Sequence, residues 1–278
     1  GATMATKGGG LYFRQLLCGR DVARPGEAKG PAEQLAFSVA QQMANFTYLV
    51  GCREKKECLV VDGCWDTQGI ERVAEADGME VVGAIATHCH FDHIGGEPPS
   101  PFNTQVPGLR ITGLKELMAG GRPGYIHERE WNKTAKSTAL DEEEKGRLNR
   151  LRDGSKLTVG ASTQLEFIHT PGHSPGSMCI LVGSEAGGSE ERRQEQLLIS
   201  GDTVFPGSCG RLDLEGSDAM AMYDSLQRLA TRLPDEMPIY PGHAYGGDKS
   251  TVGREKREGL LAPVSKEEWE RTMGRSRL

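Results

Sequence analysis

The segment Thr87-His88-Cys89-His90-Phe91-Asp92-His93, followed by Ile94-Gly95-Gly96, places three imidazoles and a carboxylate within six positions. Those are the groups that zinc, iron and related cations bind, and packing alone gives no reason for such a density. In an extended segment His88 and His90 point the same way. Asp92 and His93 are adjacent, so the chain must turn for both to reach one centre. Gly95 and Gly96 permit that turn and a close backbone approach. Upstream, Val81–Ala86 is a short apolar run that reads as a buried strand. The ligand loop is therefore expected at a strand end, where sites of α/β proteins lie.

Three later segments repeat this arrangement. His169-Thr170-Pro171-Gly172-His173-Ser174-Pro175-Gly176 follows the apolar run Leu165–Ile168. Ser200-Gly201-Asp202-Thr203 follows Leu197–Ile199, and Pro241-Gly242-His243 follows Met237–Tyr240. Each places a histidine or aspartate just past a strand, beside a glycine. Five of the seven histidines (His88, His90, His93, His173 and His243) occupy such positions, and the others are His127 and His169. A single one would fit a core or surface role. Five with the same local pattern point to a shared site.

The elements that must position these groups fall into two runs. Leu11–Leu17, Phe46–Val50 and Cys58–Val61 read as strands, with residues 51–57 as a hairpin turn. Ile70, Val73 and Ala74 recur at helical spacing, and Gly78 is the stop. Leu114–Met118 reads as a short helix. Residues 19–33 and 96–107 read as loops. Residues 138–152 read as a charged, solvated helix with a Thr138-x-x-Asp141 cap. Lys156–Val159, Leu165–Ile168, Ser177–Val182 and Leu197–Ser200 read as strands, the last two joined by a polar hairpin loop over 183–196. Asp218 caps a helix with Met222, Leu226, Leu229 and Leu233 on one stripe. Met237–Tyr240 is a last strand. Ser265-x-x-Glu268, with Val264 and Trp269 as a hydrophobic staple, opens a C-terminal helix. Two mixed sheets face to face with helices outside fit these runs.

The chain has 278 residues, 37% of them hydrophobic, enough for a sizeable core in a single domain over 4–278. Gly1-Ala2-Thr3 ahead of Met4 reads as an expression-tag remnant. The net charge of -6 offers no clustered basic face for nucleic acid. No apolar run reaches the length of a membrane span, and the polar start is no secretory signal. Seven irregularly spaced cysteines without a CxxC pair read as reduced thiols in a cytoplasmic protein, with organellar targeting left open. The expected partner is a small molecule, with no nucleic acid and no membrane. A homodimer is left open.

The HxHxDH pattern of His88, His90, Asp92 and His93, with His173, Asp202 and His243 in order behind it, resembles the metallo-β-lactamase superfamily from about Phe13 onward. The resemblance implies an α/β fold, an αββα sandwich of two mixed β-sheets flanked by helices. It implies His88, His90 and His173 around a first metal, Asp92, His93 and His243 around a second, and Asp202 bridging. Two zinc ions, or iron, would share a hydroxide that Asp92, as the catalytic carboxylate, also orients. Asp62 resembles the family's aspartate that braces a ligand histidine, although a plain turn aspartate is the other reading.

Within that superfamily the motifs are similar to glyoxalase II, which hydrolyses glutathione thioesters, and to persulfide dioxygenases, which use one iron and O2. Phe91 matches the aromatic residue of glyoxalase II. The stretch after His243 is shorter than the helical glutathione-binding domain of that branch, and residues 245–255 are similar to the dioxygenase tail. The leading expectation is a metal-dependent hydrolase of a thioester or small ester, with a glutathione conjugate among the candidate substrates. The dioxygenase is the alternative. A non-catalytic binding module is disfavoured because all seven ligand positions are present. Arg211 is the candidate anchor for an anionic substrate, or else pairs with Asp213 or Asp202. Tyr245, with Tyr125 and His127, is a candidate for the mouth of the site, and Cys209 for its surroundings.

Overall fold

A computed structural model describes residues 10–100, 108–184 and 196–273. The first sheet orders β1 (Leu11–Leu17), β2 (Phe46–Cys52), β3 (Glu57–Val61), β4 (Glu80–Ile85), β5 (Gly124–His127) and β6 (Leu148–Leu151) side by side. Its first two pairings are antiparallel and the other three parallel. The second sheet is built from β7 (Lys156–Val159), β8 (Thr163–His169), β9 (Met178–Ser184), β10 (Leu197–Gly201), β11 (Pro238–Pro241) and β12 (Ser250–Thr251), in the order β12-β11-β10-β9-β8-β7. Only β10 and β11 pair parallel there.

Every residue of β2 is buried, as a strand covered on both faces requires. Between the sheets, Phe13, Phe46 and Tyr48 pack with Phe167, Ile180, Ile199 and Tyr240. On the outer face of the first sheet lie α1 (Pro31–Met43) and α2 (Thr67–Ala76), inserting Phe37, Ala40 and Ile70. On that of the second lie α7 (Ala219–Arg232), α8 (Val252–Glu258) and α9 (Lys266–Met273), inserting Met222, Leu226, Leu229, Val252 and Trp269. The layers run helix, sheet, sheet, helix, as the resemblance implies. Asp218 caps α7 by accepting from the amides of Met220 and Ala221 at 2.8 and 3.0 Å. Ser265 Oγ accepts from Glu268 N at 3.1 Å at the start of α9, and Trp269 donates Nε1–H to Ala219 O at 2.7 Å.

The remaining helices are short: α3 (Phe91–Ile94), α4 (Leu114–Leu117), α5 (Trp131–Ser137) and α6 (Glu142–Arg147). Several expectations need correction here. α1 begins at Pro31, inside the stretch read as a loop to 33. The Gly- and Pro-rich approach hid it, while Pro31 is well placed in a first helical turn. Residues 138–152 are not one helix. Asp141, not Thr138, is the cap of α6, and it exchanges reciprocal bonds with Glu144 at 2.8 Å. Thr138 instead donates Oγ1–H to Thr134 O, and the segment ends as the edge strand β6. β5, β12 and α8 are too short to show a period. In the expected loops 96–107 and 183–196, residues 101–107 and 185–195 lie outside the described residues. All seven cysteines are free thiols, six of them buried. Among the described residues no helix is long and apolar enough to cross a membrane.

Asp218→Ala is expected to cost about 1 kcal/mol by leaving two amides of α7 without an acceptor. A lower denaturant midpoint at unchanged slope checks this, and an unchanged midpoint contradicts it.

Candidate metal centre

β3, β4 and β5 run parallel, so their C-terminal ends share one edge. In the second sheet β8 and β10 are both antiparallel to β9, and β11 is parallel to β10, so these three also end together. Backbone bonds join the ends: Met178 N to Thr87 O (3.0 Å), Phe46 N to Gly242 O (2.8 Å) and Gly242 N to Gly201 O (2.8 Å). The helical turn α3 delivers Asp92 and His93 together. Gly95 and Gly96 then adopt φ of 74° and 89°, which any other residue would adopt only with strain.

The structure brings all seven expected ligand residues into one cluster. His88 Nε2 and His173 Nε2 lie 3.0 and 2.9 Å from His90 Nδ1. His93 Nε2 and His243 Nε2 are 3.3 Å apart, with Asp92 Oδ2 at 3.5 and 3.4 Å from them. Asp202 stands between the groups. Its Oδ2 is 3.3 Å from His173 Nε2 and 3.5 Å from His243 Nε2, and its Oδ1 is 3.6 Å from His93 Nε2. Three ligand sets emerge: His88/His90/His173, Asp92/His93/His243, and His88/His93/Asp202. Six of the seven residues are buried, and His90 is half-buried.

The far side of four of the five rings is engaged. Nδ1–H of His173 donates to Arg211 O (2.9 Å) and that of His243 to Met43 O (2.7 Å). His93 Nδ1 donates to Asp62 Oδ2 at 2.9 Å, so Asp62 does brace a histidine of the cluster. Thr87 Oγ1 donates to Asp62 Oδ2 (2.8 Å) and accepts from His88 Nδ1 (3.1 Å). In the neutral rings these bonds fix the tautomer with an Nε2 lone pair facing the centre. The donor set suits a divalent cation on two further counts. Among the described residues, Asp202 Oδ1 is buried without a hydrogen-bond partner. A Cβ on Gly242 would also collide with that oxygen, so the backbone leaves its side open.

Burial, then His93 and His90, holds His88 well below the ordinary histidine range. Burial and His173 push His90 down to about 4. Burial opposes charge on His93 as well, but Asp92, Asp62 and Asp202 outweigh it and raise His93 to about 10. The same contest raises His243, through Asp202 chiefly. Asp202, despite burial, is held well below the carboxylate range by His243, His93 and His173.

The expected substrate residues divide. Tyr245 is 42% exposed and stacks on the His243 ring, centroids 4.7 Å apart at 6°, with Phe205 edge-on at 5.7 Å. Arg211 turns its guanidinium to Asp213, with bonds of 2.9 and 2.7 Å, and reaches the cluster only through its carbonyl. His127 lies face to face with His169 at 4.0 Å, and Tyr125 packs against the inter-sheet core. Burial, then Asp202, pushes the half-buried Cys209 thiol up to about 12. Asn45 escaped sequence reasoning: it is buried and donates Nδ2–H to Asp92 Oδ2 at 3.0 Å. Its placement between a helix and a strand carries no spacing signal.

Known proteins are similar to this chain over the span that holds the cluster. The family model described as Metallo-beta-lactamase superfamily matches residues 41–243. The protein named "Probable polyketide biosynthesis zinc-dependent hydrolase BaeB", from Bacillus velezensis, is 28% identical over 207 residues, 74% of this chain and 76% of that one. A hydroxyacylglutathione hydrolase of Polaromonas sp. is 29% identical over 204 residues, 72% of this chain but 62% of the relative. The mitochondrial persulfide dioxygenase ETHE1 of Homo sapiens is 26% identical over 231 residues, 82% of this chain and 76% of that one. The matched span begins within α1 and ends on His243, and so encloses every residue of the cluster. The chain belongs to the metallo-beta-lactamase superfamily.

Proposed function

We propose that the chain is a metal-dependent hydrolase acting on a thioester or small ester, in the manner of the hydroxyacylglutathione hydrolases, with zinc as a pair of ions or iron in the centre. The completeness of both triads carries this reading. Asp92, His93 and His243 are each held from behind, by Asn45, Asp62 and Met43 O. Two complete ligand sets suit a centre for two cations, as the hydrolase reading uses. When bound, the cations would polarise a carbonyl and acidify a water.

The protein groups do the rest. Asp92, whose Oδ2 is fixed by Asn45, orients the attacking water. The Nδ1 bonds keep the imidazoles from turning as charge develops. Tyr245 and Phe205 form an aromatic wall against which the acyl or thiol portion packs away from water. An anionic group of the substrate meets Arg211 only by exchange with Asp213. The dioxygenase reading is favoured by one observation, the length of the ETHE1 match, which covers more of this chain than the two hydrolase matches do.

The two readings separate when metal-analysed protein is given a glutathione thioester and, in parallel, glutathione persulfide. Thiol release without O2 uptake is the expected result. One iron per chain with O2 consumption on the persulfide overturns the hydrolase.

Asp202→Ala is expected to lose metal and activity together, by at least ~100-fold, since removing even a residue behind a ligand costs 10–100-fold. Elemental analysis beside the activity assay checks it, and full activity in the variant contradicts the bridging role. With His93 raised to about 10, its proton is bound at neutral pH and must leave before a cation is ligated. Zinc uptake at pH 7.5 should therefore release about one proton or more and weaken as the pH falls. Calorimetry in buffers of different ionisation enthalpy measures that number, and zero release contradicts it.

A further inference from the structure

We propose that the two halves of the metal centre are held by two separate buried polar side chains, Glu130 and Asn45, so that the cation affinity of each half is set independently. The inference rests on reading the cluster as a metal centre.

Glu130 is only 2% exposed and lies just ahead of α5, outside the ligand set. Its Oε1 accepts from Gly176 N at 3.1 Å, three residues past His173. Glu130 therefore holds the loop that delivers His173. The fit is close, since a Cβ on Gly176 would lie 2.7 Å from Glu130 Cγ. Its Oε2 finds no partner in hydrogen-bonding geometry among the described residues. A carboxylate so poorly compensated is costly to bury, and an apolar residue of the same size would fill the space without that cost. Holding the His173 loop is what the buried acceptor adds.

Asn45 is 1% exposed and serves the other half. Trp65 Nε1–H donates to its Oδ1 at 3.2 Å. The indole can only donate, so this bond fixes the amide with Nδ2 toward Asp92. The Asn45 backbone bridges to His243, and Met43 O, two residues earlier, accepts from His243 Nδ1. The segment from Met43 to Asn45 thus grips Asp92 and His243, both of the second triad. Asp62 differs from both, because it holds His93 directly and His88 through Thr87. Glu130 and Asn45 are positioning residues, one for each half.

The test titrates cobalt(II) into chelator-treated protein and follows the visible absorption of each half. His90→Ala and His243→Ala identify which band belongs to which triad. Glu130→Ala should weaken the histidine-triad band by ~10-fold or more while leaving the other nearly unchanged, and Asn45→Ala should do the reverse. Glu130→Gln, which keeps an acceptor for Gly176 N, should restore most of the loss. If Glu130→Ala does not fold, Glu130→Leu serves the same comparison. Equal weakening of both halves by either variant, or no change in a variant that melts like wild type, overturns the separate supports. Wild-type protein that takes up no cobalt overturns the metal-centre reading itself, and this inference with it.

Discussion

The buried carboxylate of Asp62 fixes where the ligand loop can be. It accepts from Thr87 N at 2.7 Å, from Thr87 Oγ1 at 2.8 Å and from His93 Nδ1 at 2.9 Å. Its own backbone is pinned to both neighbouring strands, with its N–H donating to Ile85 O and its carbonyl accepting from Thr47 Oγ1. Hydrogen bonds to a charged group contribute about 1.5–3 kcal/mol each. A shift of residues 87–93 would break several of them at once and leave a buried carboxylate short of donors. Asp62 holds a φ of 52°, a conformation aspartate tolerates better than most residues. That local strain, about 1–3 kcal/mol, is offset by the bonds it makes possible.

Parallel strand directions do the rest of the assembly. His173, Asp202 and His243 follow three strands that all run one way, so no long loop has to carry a ligand to the centre. Each of these three is one to four residues past a strand whose position is set by the inter-sheet core of Phe13, Phe46, Phe167 and Tyr240. The packing of aromatic rings far from the cluster thereby determines ligand spacing. Residues on rigid elements hold such spacing better than residues on free loops.

This division explains what could be read in advance. The ligands stood out because each combines a metal-binding residue type, an apolar strand before it and a glycine beside it, all adjacent in sequence. The long strands were legible for the same reason. Helix α1 was not, because Gly30 and Pro31 at its start look like loop chemistry until Phe37 and Ala40 are seen packed on the sheet. The short edge strand Leu148–Leu151 buries only its two ends, which is too little pattern to set against the charged run before it. Asn45 and Glu130 left no trace, since each meets its partner 47 or 46 residues away. Arg211 forms the pair with Asp213 that its sequence also offered, while its carbonyl, which no sequence pattern marks, holds His173.

The direction of the hydrogen bonds explains why a positive charge belongs at the centre. Carbonyls behind His173 and His243, and acceptors behind His88 and His93, commit every one of those Nδ1 atoms as a donor. In the neutral rings the Nε2 lone pairs then face inward. His88 and His173 both approach His90 Nδ1 within 3.0 Å, and that atom has at most one proton to give. In the neutral rings at least one of the two neighbours is therefore left without a donor, next to an oxygen of Asp202 that has no hydrogen-bond partner among the described residues. Protonation relieves this at His93, where three carboxylates favour it, but not at His88 and His90, where burial and neighbouring imidazoles oppose it. With its rings neutral the histidine triad leaves a lone pair without a donor, whereas a cation held by His88, His90 and His173 would accept from all three. A cation that binds the folded chain and not the unfolded one must also stabilise the fold by mass action, so the tension at the centre links ligand binding to folding.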